Sequence, residues 1–264
     1  MAVATTLPPV LCLPFPDGRT VFSLSSVNRF KPLNCKIHGF GDIDEHYYSR
    51  KSLKYWDMFY KRHQNKFFKD RHYLEKDWGK YFSDSDDAVS ADGKVLLEVG
   101  FGAGNTIFPL MAAYPMLFVH ACDFSTEALN LVKYHSNFDG KRMNVFVCDV
   151  TNEELCNKIL PSSVDLVTLI FMLSAVSPNK MPFVLQNLNK ILKPNGHVLV
   201  RDYAVGDSAQ CSFYFSEDFL SNLFAEAGFC TVDLDTYCRQ IENHSRNLTF
   251  DRRWVRAIFK KIDS

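Results

Sequence analysis

The chain has no net charge, no long apolar run and no paired-cysteine motif, and each absence removes a class of function. Thirty Lys and Arg offset thirty Asp and Glu across 264 residues. That excludes a protein gripping nucleic acid by bulk charge and leaves any such binding to a local patch. No stretch approaches the roughly 18 apolar residues of a membrane-spanning helix, so no membrane insertion is expected. The eight cysteines form no CxxC pair, and three of them fall inside apolar strand-like runs. Neither a metal site nor a disulfide framework is expected from that pattern, and a reducing compartment fits it. No internal repeat is visible. At 264 residues and 47% apolar composition, one large domain or two small ones can bury a sizeable core. Aromatic residues are abundant, at 14%, and unevenly spread.

Residues 1–45 read as a tail. Residues 1–40 hold a single acid, Asp17, against four basic residues. That shortage suits a transit peptide, which points to a chloroplast or another organelle; an unfolded tail of a cytoplasmic protein is the alternative. Residues 46–82 change character, with ten Lys and Arg against four Asp and Glu from 50 to 82, and ten aromatics from Tyr55 to Phe82. Leu53, Trp56, Phe59, Tyr60 and His63 recur at helical spacing, and core packing accounts for part of them. Cations interleaved with rings also suit a nucleic-acid strand, which makes Lys66, Lys69 and Arg71 the candidate RNA contacts. An acidic linker, 83–93, follows. From 94 to 262, apolar runs of strand length (95–100, 117–123, 144–149, 164–173, 198–203) alternate with helical patterns (105–114, 126–137, 152–159, 180–192). Thr151 and Glu154 read as a capping box on the third of these helices. A last helix over 219–227, ended by Gly228, precedes two β-like segments at 230–238 and 254–260. Continuous apolar strands joined by helices predict an α/β fold, its sheet covered on both faces.

The sharpest signal is the run LEVGFGAGN over 97–105. A strand enters three glycines at alternate positions, and a helix follows. Glycine is needed where the backbone turns tightly or approaches a ligand closely. Gly100, Gly102 and Gly104 follow an acid, Glu98, which would repel a pyrophosphate but suits a zwitterionic amino-acid moiety. The second strand ends at Asp123, where a carboxylate can accept both ribose hydroxyls; the third ends at Asp149, where one can accept an adenine amino group. Each acid taken alone could instead cap a helix. The two in order after a glycine loop predict S-adenosylmethionine as cofactor.

With these residues in view, the chain resembles the tRNA 3-methylcytidine methyltransferases. The matching runs are KYWDMFYK (54–61), NKFFKDR (65–71), the glycine loop, ACDFS (121–125), LIFMLSAV (169–176) and LVRDY (199–203), in family order. The resemblance implies a Rossmann-like class I methyltransferase: a mixed seven-stranded sheet with helices on both faces, plus an N-terminal helical extension facing tRNA. Family cofactor contacts fall on Trp56, Tyr60, Gly100, Asp123, Asp149 and Ile170. Asp202 is the candidate for stabilising charge on the methylated base, with Arg201 and Tyr203 placing base or phosphate; a structural Arg–Asp pair is the alternative. A monomer is expected, with room for a helper such as an aminoacyl-tRNA synthetase. One departure stands out. Only residues 208–210 separate Asp207 from 211–215 (CSFYF), where the family carries a longer basic insert, so weakened substrate engagement is expected.

Overall fold

The computed structural model describes residues 42–83, 93–207, 212–243 and 248–262. The tail up to residue 41, most of the acidic linker and the shortened stretch 208–211 lie outside the described residues. Seven strands make one sheet: β1 Val95–Val99, β2 Phe118–Asp123, β3 Met143–Val147, β4 Val164–Ile170, β5 Leu192–Tyr203, β6 Phe229–Asn243 and β7 Leu248–Lys261. Their spatial order is β3-β2-β1-β4-β5-β7-β6. The first five run parallel, and β7 is antiparallel to both neighbours. Strand order reverses between β1 and β4, which opens a crevice at the carboxyl ends of those strands.

Two apolar layers flank the sheet. Helices α5 (Met181–Ile191) and α6 (Glu217–Glu226) cover one face through Val184, Leu188, Leu220 and Phe224. The other face is covered by α1 (Asp42–His63), α2 (Tyr73–Phe82), α3 (Ile107–Ala113) and α4 (Thr126–Lys133). Phe59, Tyr60, Leu74 and Trp78 of the basic aromatic extension join the same cluster as Leu110 and Val132. The extension is therefore part of the core layer, because half its rings have no other place to escape water. Lys66 and Lys69, between those rings, stay exposed.

One expected helix does not form. Over 152–159 the chain makes only a short 3-10 turn, Leu155–Asn157. The Asn187 carboxamide accepts from the Leu155 amide at 2.9 Å and donates to the Glu153 carbonyl at 2.6 Å, so α5 takes over backbone groups a helix would pair. The capping box is also absent: Thr151 Oγ1 donates to Asp149 at 2.7 Å, and Glu154 pairs with Lys190 at 2.8 Å. Elsewhere Ser125 and Ser216 cap α4 and α6 by accepting from Ala128 and Phe219. The last two strands run well past the expected 230–238 and 254–260 as one long antiparallel pair.

Candidate cofactor and substrate site

The glycine loop leaves β1 with Gly100, Gly102 and Gly104 all at left-handed φ, +73°, +57° and +86°. A Cβ on Gly102 would sit 2.9 Å from the Tyr60 hydroxyl, and one on Gly104 would sit 2.4 Å from the Phe108 ring. Any larger residue there is both strained and obstructed. The loop is tied to β2 through Asp123, whose two oxygens accept from the Gly102 amide at 3.0 Å and the Ser125 amide at 2.9 Å. Burial pushes the Asp123 carboxyl up to about 6, against the lowering pull of those two amides. The Phe124 amide also pulls it down, and a carboxylate offers about four lone-pair sites, so acceptor capacity is left for a ribose hydroxyl.

Glu98 lies at the base of the loop, fully buried. One oxygen accepts a short hydrogen bond from the Thr168 hydroxyl, and the other, Oε1, has no partner among the described residues. Burial lifts this carboxyl to about 7, while Thr168, the Arg71 guanidinium and the nearby Thr106 hydroxyl pull it down. An orphaned buried acceptor is costly unless a ligand completes it.

The structure turns Arg71 inward, which corrects its expected place among the RNA contacts. Its amide donates to the Asn105 carbonyl at 2.9 Å, and its guanidinium donates to Thr106 Oγ1 at 2.8 Å. The guanidinium also lies 5.7 Å from the Phe171 ring centroid. Nothing in its spacing separates it from Lys66 and Lys69; only the fold shows that the chain reverses before α2. The sequence pattern therefore grouped with the exposed lysines a side chain that the fold sets beside the loop. Lys69 keeps its outward place, lining a groove of about 400 Å³ with Asn65, His72, Phe108 and His135.

Trp56 stacks on Tyr60 with centroids 5.7 Å apart, and Tyr60 reaches from α1 to the loop at Gly102. Asp57 in the same turn accepts from the Ser125 hydroxyl at 2.5 Å, and Lys61 pairs with Glu127 at 3.1 Å. The extension is thus fixed to α4 beside Asp123. Asp149 sits at the end of β3 but already caps the following turn, accepting from the Thr151 amide at 3.0 Å. Ile170, at the end of β4, is buried.

At the end of β5 the expected trio separates. Asp202 is fully buried with Val198 and Val200 on the α5/α6 side, where it accepts from the Ser174 amide at 3.0 Å and the Tyr203 amide at 2.9 Å. Burial pushes it up to about 6. It holds the turn after β4 and does not face the opening, contrary to its expected role beside the base. Arg201 points to the opposite face but is engaged: it pairs with Asp77 of α2 at 2.8 Å and lies 3.9 Å from the Tyr73 ring centroid. It fastens the extension to the sheet and is not free to place a base or phosphate. Neither side chain forms the Arg–Asp pair weighed from sequence, since each has another partner. Tyr203, on the Arg201 face, meets the Phe171 ring at 5.0 Å. Among the described residues no cluster of His, Cys, Asp and Glu could hold a metal, and no helix is long and apolar enough to cross a membrane.

These residues fit S-adenosylmethionine. With that cofactor bound, Glu98 Oε1 would offer an acceptor to its ammonium, Arg71 a donor to its carboxylate, Asp123 an acceptor to its ribose, and Trp56 and Tyr60 an aromatic cover to its sulfonium.

Comparison with known proteins agrees. Residues 97–198 match the methyltransferase domain family. The chain is 38% identical over 232 residues to "tRNA N(3)-cytidine methyltransferase METTL6" of Rattus norvegicus, covering 80% of each chain. It is 35% identical over 238 residues to "tRNA N(3)-methylcytidine methyltransferase trm141" of Schizosaccharomyces pombe, covering 81% of this chain and 94% of that one. Among solved structures it superposes on the 1,6-didemethyltoxoflavin-N1-methyltransferase of Burkholderia thailandensis, bound to S-adenosylhomocysteine. There the TM-score is 0.55 and identity 16%, over 83% of this chain and 90% of that one, a likeness of fold alone. Sheet order, glycine loop, aromatic cover and the two curated relatives converge: the chain belongs to the tRNA N(3)-cytidine methyltransferase family.

Proposed function

We propose that the chain transfers the methyl group of S-adenosylmethionine to N3 of a cytidine in tRNA. What supports this reading is that one element lies beside the glycine loop and also carries exposed cations, so that in this proposal it serves both partners. The extension supplies the cover of the cofactor pocket (Trp56, Tyr60, Arg71) and, from the same short segment, the exposed cations Lys66 and Lys69. The bound cofactor supplies an electrophilic methyl group. The chain's own residues orient and shield. Glu98, Arg71 and Asp123 fix the donor at three points, and the packed rings of α1 exclude water. Neutral cytosine presents an in-plane lone pair at N3, so no strong base is required. With Asp202 turned away, developing charge on the base is met by ring faces at the carboxyl edge.

A zero net charge gives the chain little bulk attraction for tRNA. That supports a helper with its own tRNA affinity, such as an aminoacyl-tRNA synthetase, acting in this proposal with a monomeric chain. The acid-poor residues 1–40 support an organelle, with the cytoplasm as the alternative. Reduced turnover belongs to the same reading. The 232 positions aligned with the rat relative exceed the 80% of this chain that they occupy, so that relative carries residues this chain lacks. Asp207, at the start of the shortened stretch, is clamped by Arg252 of β7 at 3.0 Å, which fixes the strand end without supplying a wall over the nucleotide.

The reading is tested with tritiated methyl donor and a panel of acceptors. Label in tRNA is the expected result. Label in a protein or small-molecule acceptor, with none in tRNA, would refute it.

A further inference from the structure

We propose that Phe171 is the stacking platform for the target base, held across the mouth of the cofactor site by a strained backbone. This deepens the tRNA-cytidine reading and rests on it. Phe171 has φ +56°. A bulky aromatic in the left-handed region is a true outlier, since its Cβ crowds the following carbonyl. Such strain persists only where the surroundings over-determine it, and it gathers at functional sites.

The surroundings here do over-determine it. The Phe171 amide donates to the Arg201 carbonyl at 2.7 Å, which extends the β4–β5 ladder one residue past its last pair. Three residues on, the Ser174 amide is held by the buried Asp202 carboxylate at 3.0 Å. Arg201 is itself fixed by Asp77. The turn is thus pinned at both ends, and the residues that were expected to do the chemistry are the pins. Between the buried Ile170 and Met172, Phe171 alone stays partly exposed. Met172 Cγ lies 3.0 Å from where a Cβ on Gly100 would sit, so the turn abuts the glycine loop directly. The ring stands at the carboxyl edge between β4 and β5, with Tyr203 at 5.0 Å and the Arg71 guanidinium at 5.7 Å. What the left-handed turn adds is direction, placing an aromatic face where a flipped base must present N3 to the donor.

The test compares Phe171→Ala, Phe171→Gly and Phe171→Tyr in the full chain. Alanine and glycine should each lower kcat/KM for tRNA by roughly 10- to 100-fold, the worth of one base–aromatic stack. Tyrosine should stay close to the parent, and the affinity for S-adenosylhomocysteine should be unchanged in all three. Glycine should melt above alanine, because only alanine keeps a Cβ at this φ; ordinary backbone would give the reverse order. A tRNA transcript carrying 5-iodocytidine should photo-crosslink to Phe171 in the parent. Full methylation by Phe171→Ala, or alanine melting above glycine, would overturn the proposal. If the parent forms no 3-methylcytidine, the functional reading fails, and the crosslink still decides whether Phe171 holds a tRNA base: its presence supports the platform and its absence refutes it.

Discussion

Replacing Glu98 by glutamine removes a charge that the fold holds against its preference, and the size of the effect follows from its surroundings. Burial lifts the carboxyl from its ordinary 4.5 to about 7. At about 1.4 kcal/mol per pKa unit, the ionised form costs up to about 3 kcal/mol of folding stability. Because the folded value lies above the unfolded one, the cost is absent below pH 4.5, grows as pH rises and is complete above about pH 7. Glutamine preserves the shape and can still accept from Thr168. Its amide inherits the unpartnered position of Oε1, which costs about 1–2 kcal/mol at any pH. Glu98→Gln should therefore stabilise the ligand-free protein by about 1–2 kcal/mol near pH 8 and destabilise it by a similar amount near pH 4. Urea denaturation at the two pH values reads the difference directly. Calorimetry should show weaker binding of S-adenosylhomocysteine, since an amide cannot replace a carboxylate facing an ammonium. A stability change independent of pH would refute the burdened-charge argument. Unchanged ligand affinity would remove Glu98 from the cofactor site.

Three further outcomes follow from the same geometry. Asp123→Ala should weaken cofactor binding by about 1–3 kcal/mol through loss of a charge-assisted acceptor, and calorimetry checks it. Charge reversal of Lys66 and Lys69 should lower tRNA affinity and flatten its dependence on salt, whereas Arg71→Ala should weaken cofactor binding instead; a steep salt slope in the double variant would make those lysines a merely solvated face. A family-like insert between Asp207 and Cys211 should raise turnover while leaving cofactor affinity unchanged, and equal rates with and without it would show the wall to be dispensable.

Much of the fold is legible in the sequence because its strands are continuous apolar runs whose order fixes a parallel sheet. Gly100, Gly102, Gly104 and Asp123 are legible for a related reason: their chemistry is local to strand ends. The residues that misled are those whose partners are remote in sequence. Arg71 and Lys69 look alike in a basic run, and only the reversal before α2 turns one inward. Arg201 and Asp202 are neighbours on a strand, so alternation sends them to opposite faces, and Asp77, 124 residues away, decides the fate of the first. The 152–159 segment has helical spacing, but Asn187, 32 residues on, takes its amide. Phe171 carried no signal, since a positive φ on an aromatic is not written in composition or spacing.

The central claim is tested most directly by mass spectrometry of nucleosides from tRNA incubated with the purified chain and deuterated-methyl S-adenosylmethionine. The account predicts trideuterated 3-methylcytidine, in low yield for the chain as it stands and in lower yield still for Asp123→Ala at limiting cofactor. Label in a different nucleoside, or in none while the cofactor remains bound, would contradict it.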